Sequence, residues 1–152
     1  MTDETSRGKA TAARQPAERL LVWLVRLNGL VLLLALGPIL MPAELMRSIH
    51  ERLGLGPFPD VPISYYLARS LSATYALHGA LTFAMSFDVD RYRPLLKVLV
   101  VSNALFGAVM FGIDLAVGMP WFWTAIEGPP IVGYALLIAA TMSRMGRVPA
   151  TQ

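Results

Sequence analysis

The sequence predicts an all-α fold: a polytopic membrane protein with four transmembrane helices running up and down as a bundle, plus a short amphipathic helix on the outer side. Three observations carry this. Hydrophobic residues make up 55% of the 152 residues and charged residues only 15%, against about a quarter charged in soluble domains. The apolar residues gather in runs near the roughly 20 residues that a helix needs to cross hydrocarbon. The basic residues flank those runs instead of forming a patch, which is a membrane pattern. The net charge of +3 therefore does not point to nucleic acid. The absence of cysteine excludes disulfides, thiolate metal sites and thiol catalysis. An excess of 11 Arg over 2 Lys points to a GC-rich bacterial genome.

Residues 1–19 are polar, mixed in charge and without periodicity, and predict a disordered tail. Residues 20–41 form the first span, interrupted by Arg26, Asn28 and Pro38. Its length, the Arg inside it and the lack of a small-x-small cleavage pattern favour an anchor over a cleaved signal peptide. After Pro42, Leu45, Met46, Ile49 and Leu53 recur at helical spacing opposite charged neighbours, as in a helix lying on the membrane surface. Here His50 is expected to be solvated. Gly54 suits the helix end, and the proline-rich residues 56–62 must be extended.

Residues 63–87 form the second span, residues 88–94 a charged turn, and residues 95–117 the third span. Residues 121–142 form the fourth, broken by Gly128, Pro129 and Pro130, and residues 144–152 a second tail. The fourth span is either kinked there or preceded by a short interfacial segment, with a new helix starting near Pro129. Small-residue stripes at Ala76, Ala80 and Ala84 and at Ala104, Ala108 and Gly112 suggest grooves for neighbouring helices.

Orientation follows from short-loop basic residues. Nine (Arg7, Lys9, Arg14, Arg19, Arg91, Arg93, Lys97, Arg144 and Arg147) lie on one side, and Arg47 and Arg52 on the other. Both termini are therefore expected in the cytoplasm, with Tyr65, Tyr66 and Trp121 to Trp123 at the outer interface.

A charge at the centre of a span costs about 2.5–3.5 kcal/mol on insertion scales, so such groups turn inward and find partners. Arg69 lies roughly 9 Å below the outer end of its span, Asp114 roughly 6 Å and Glu127 roughly 10 Å, at 1.5 Å per residue. The shared depth suggests one outer cluster in which the guanidinium fork faces both acids. Its role is open: a tie that fixes helix register, a proton-handling pocket or a partner interface. Asn28, His78 and Asn103 form a second polar group, roughly 12 Å from the inner ends. His78 has no second ligand at metal spacing, so no metal is expected, and a hydrogen-bonded packing role is the plainer reading. P-loop, GxSxG, HExxH and dinucleotide patterns are absent, so no catalytic residue is assigned.

The order of features resembles the small four-helix bacterial membrane families described as DoxX-like or BphX-like. Four spans in about 150 residues, the stretch from Tyr65 to Gly79 with its early Arg69, and the Pro120-Trp121-Phe122-Trp123 start of span four followed by Glu127 carry the likeness. It implies location in a bacterial cytoplasmic membrane and a quinone or lipid neighbour. The functional expectation is a non-catalytic accessory subunit or a binder of a hydrophobic molecule, working with a membrane-protein partner or a second copy of itself. The alternative is a membrane enzyme or quinone-linked redox subunit using Arg69, Asp114 and Glu127.

Overall fold

The structure is a computed structural model that describes the backbone of residues 2–145 and the side chains of residues 16–145. All regular structure among the described residues is helical. In chain order the helices are α1 (Thr2–Leu33), α2 (Leu36–Leu40), α3 (Ala43–Arg52), α4 (Pro62–Met85), α5 (Arg93–Val117), α6 (Trp121–Ile126) and α7 (Gly128–Arg144). Three stretches are long and apolar enough to cross a membrane: Pro16–Leu40, Arg93–Val117 and Trp121–Arg144. Their exposed surfaces agree. Trp23, Leu34, Leu105, Leu115 and Leu136 are each at least 60% exposed, which water would penalise and lipid accepts. The chain is a membrane protein.

Helix α4 differs. It is 24 residues long, but Arg69, His78 and a run of Ser, Thr and Tyr lower its mean hydropathy, and it is not among the three. The N-terminal stretch differs as well, because α1 begins at Thr2 where the sequence suggested a tail. Alanines and long charged residues between Lys9 and Arg19 have high helix propensity and extend the span outward, through Pro16. The second tail, expected over residues 144–152, lies outside the described residues from residue 146 on.

Proline chemistry explains the end of the first span. Pro38 has no N–H and its ring crowds the carbonyl one turn earlier. The chain tightens there: Leu34 donates to Val31 at 3.1 Å, Ala35 to Leu32 at 3.1 Å and Gly37 to Leu34 at 3.0 Å, all i to i−3 bonds. Pro42 then caps α3 without entering it. At the end of α5, left-handed Gly118 and the following Met119 both donate to the Asp114 carbonyl, which stops the helix.

The helices divide into two compact units, Met1–Val25 with Met85–Gln152, and Arg26–Ala84. In the first unit Leu21, Val25, Leu96 and Ile138 are at most 1% exposed and form the core with Met142. Polar bonds tie its helices. Tyr134 Oη donates to the Leu24 carbonyl at 2.7 Å, and Arg93 Nη2 donates to the Met142 carbonyl at 3.0 Å. Helices α5 and α7 meet at Gly107 and Gly128, where a Cβ on Gly107 would stand 2.8 Å from the Gly128 carbonyl oxygen. In the second unit α1 and α4 meet similarly, a Cβ on Gly79 standing 2.8 Å from the Gly29 carbonyl oxygen. The packing surfaces follow the expected stripes only in part: Ala76 is buried and Ala104 half-buried. Ala80, Ala84 and Ala108 are exposed, and Gly112 faces open space. One residue turns a helix by about 100°, so the neighbouring glycine, not the alanine, fixes the contact.

Candidate functional site

Two places gather polar groups of the kind the sequence singled out, one in each unit. In the second unit, α3, the connector after it and the start of α4 form an organised outer element. The connector cannot be helical because of its prolines, so side chains hold it. Asp60 is the hub: Arg47 Nη1 donates to its Oδ2 at 2.7 Å and Tyr65 Oη to its Oδ1 at 2.8 Å. Phe58 packs between two rings, edge to face with His50 at a centroid distance of 5.3 Å and tilted against Tyr65 at 5.1 Å. His50 Nδ1 stands 3.0 Å from the Gly56 carbonyl oxygen. His50 is therefore a half-buried anchor of the connector, not the solvated residue the sequence suggested.

Beside this element a cavity of about 650 Å³ is lined by Ala43, Pro62, Tyr65, Tyr66, Arg69 and Ser70. Arg69 is exposed, and its Nη2 donates to the Met41 carbonyl at 3.2 Å. That carbonyl lies just past α2, where the chain becomes extended before Pro42 and no helical donor follows. The bond uses one of the five guanidinium N–H groups. Ser70 donates to the Leu67 carbonyl at 3.2 Å, and Thr74 to the Ser70 carbonyl at 3.0 Å. The walls are thus apolar and aromatic around a single cation.

In the first unit the break in the apolar stretch Trp121–Arg144 falls at Glu127, with φ −92° and ψ −81° between α6 and α7. Pro129 and Pro130 supply no N–H, so the carbonyls of Ala125 and Ile126 lack their usual i+4 donors. Of the two expected arrangements, the new helix resumes at Gly128, one residue before Pro129. Glu127 is half-buried and accepts a hydrogen bond from Trp123 Nε1. Asp114, on α5, is 3% exposed. Its Oδ2 is buried without a hydrogen-bond partner, and one turn before it on α5 Phe111 packs against Gly128, the residue after Glu127. Of the expected outer cluster, Asp114 and Glu127 therefore share one neighbourhood, while Arg69 belongs to the other unit with the Met41 carbonyl as partner.

The inner group also divides. Asn28 and His78 lie in the second unit and Asn103 in the first, all half-buried. Asn28 Nδ2 and Thr82 Oγ1 are buried without partners. Among the described residues no group of three or more His, Asp or Glu stands ready to hold a metal ion.

Sequence reasoning missed the Arg47–Asp60–Tyr65 network. Its signal was faint: one acid among prolines, with a tyrosine five positions on. The close approach at Gly128 was equally hidden, since Gly-Pro-Pro reads first as a break. A scan against family models finds no match, and neither the curated proteins nor the solved structures contain one.

Proposed function

We propose that this chain is a small, non-catalytic integral membrane protein that binds an amphipathic hydrophobic molecule, a lipid or a quinone, as an accessory subunit or in a self-assembly. The cavity beside Arg69 supports the reading most directly. Its aromatic and apolar walls suit a hydrophobic body, and the guanidinium supplies donors for a carbonyl or anionic head. Leu67, Leu71, Leu77 and Leu81 of α4 are each at least 55% exposed, which suits a fourth span with lipid along it. At 1.5 Å per residue its 24 residues reach about 36 Å, enough to cross the hydrocarbon core. In this reading both termini are cytoplasmic and the membrane is a bacterial cytoplasmic membrane.

The test is extraction and mass spectrometry of the molecules that co-purify with the full chain in mild detergent. Wild type retains a stoichiometric lipid or quinone, and Arg69→Gln loses it while remaining folded. Equal retention by the variant, or no retained amphiphile, would overturn the proposal. Because the chain lacks cysteine, topology is tested with single substitutions. Ser48→Cys should react with an impermeant thiol reagent in intact cells, and Asp90→Cys only after permeabilisation.

The second reading, a membrane enzyme or quinone-linked redox subunit, draws on Asp114. A buried acid with an unpartnered oxygen beside another acid suits proton handling. Asp114→Asn and Glu127→Gln would then abolish turnover of a quinone pool while leaving lipid retention at Arg69 intact.

A further inference from the structure

Another cavity lies in the other unit, and its chemistry is graded along its length. It has a volume of about 550 Å³ and sits on the seam of α5 and α7. At one end stand Arg93, Lys97 and Ser143. One to two turns deeper along α5, Val100 and Val101 take over, with Ala139 opposite on α7. From Lys97 to Val101 the rise is about 6 Å, comparable to the step from a phosphate head to the start of its acyl chains. No acidic residue lines the cavity. Arg93 is held across the seam by its bond to the Met142 carbonyl, so a cationic group is fixed at the mouth. Lys97 is exposed one turn further on, and exposed Arg144 follows Ser143 directly.

We infer that this seam is a binding site for one phospholipid of the surrounding bilayer with an anionic head, its phosphate between Arg93 and Lys97 and an acyl chain along Val100, Val101 and Ala139. Charge complementarity selects the occupant. The exposed Lys97 ammonium at the polar end favours a head with net negative charge over a zwitterionic one. The apolar floor selects a molecule with a chain over a free phosphate ion. A soluble protein partner would leave this floor without its covering, because the flanking surface, including Val98 and Leu95, is exposed and apolar. The site is separate from the cavity at Arg69, so the two assignments stand or fall independently.

The experiment measures thermal unfolding and native mass spectra of the full chain in detergent with added phosphatidylglycerol, phosphatidylcholine or glycerol phosphate. Phosphatidylglycerol should stabilise the protein and give a one-lipid adduct, while the other two leave it unchanged. Lys97→Gln, which removes no structural bond, should weaken that adduct about fivefold, the effect of one basic residue near an anionic surface. Ala139→Trp, which fills the chain path and leaves both cations in place, should abolish the adduct. Arg52→Gln, in the other unit, should change nothing. Equal response to both lipids, stabilisation by glycerol phosphate, or wild-type binding by Lys97→Gln would each overturn the inference, even if Ala139→Trp failed to fold.

Discussion

Gly107 on α5 and Gly128 at the start of α7 touch backbone to backbone: a Cβ on Gly128 would stand 2.6 Å from the Gly107 carbonyl oxygen. The nearest obstructing atom on each side is a backbone carbonyl oxygen, which cannot rotate away, and Val132 and Phe111 crowd the same space. In lipid there is little hydrophobic gain from joining helices, so close backbone approach and its dispersion contacts contribute much of the association. Gly107→Ala should therefore destabilise the protein by about 1–3 kcal/mol, the usual cost of overpacking. Gly112→Ala on the same helix, facing open space, should be neutral within about 0.5 kcal/mol. Unfolding in mixed micelles compares the two.

The hydroxyl of Tyr134 tests the polar tie between α7 and α1. Tyr134→Phe keeps the ring and removes only the 2.7 Å bond to the Leu24 carbonyl. A loss of about 1 kcal/mol is expected, typical of one buried hydrogen bond. Unfolding measured under the same conditions as the glycine series would read it.

Asp114→Asn keeps the shape of a buried side chain and replaces its ionisable carboxyl with a neutral amide. Because one carboxyl oxygen is buried without a partner, the variant should be at least as stable as wild type, by about 1 kcal/mol. A loss of several kcal/mol would instead show that the carboxylate is paired with a cation, as the register-tie reading of Arg69 requires. Denaturant titration at fixed pH decides between them.

The Arg47–Asp60–Tyr65 network holds a loop, not a core. Arg47 and Asp60 are 33% and 66% exposed, so the ion pair contributes at most about 1 kcal/mol to global stability. Asp60→Asn should leave the unfolding midpoint almost unchanged, yet speed proteolytic cleavage between residues 54 and 61 severalfold. Limited proteolysis with mass analysis of the fragments provides the readout.

The helix boundaries were largely legible because they depend on local chemistry. Span three was expected over residues 95–117 and is Arg93–Val117. The break at Gly128-Pro129-Pro130 follows from missing N–H donors, which any sequence containing two prolines announces. The amphipathic helix was legible too, since Leu45, Ile49 and Leu53 repeat at the helical period. The start of α1 at Thr2 was not legible, because residues 9–19 combine polarity, which suggests a tail, with high helix propensity. The candidate site was less legible. Depth along a span is legible from residue spacing, whereas the partner that Arg69 takes, the Met41 carbonyl 28 positions away, is not.

From sequence alone came the all-helical class, the membrane as solvent, and the positions where helices stop, because each depends on residue type and on neighbours a few positions away. Tertiary structure alone decided which face of each helix meets its neighbour, that Gly107 and Gly79 mark the contacts, and that Asp60 gathers Arg47 and Tyr65. Those outcomes turn on rotations of a single residue step and on groups 13 positions apart for Arg47 and Asp60. Such distances are closed by packing and directional hydrogen bonds, which no local pattern encodes.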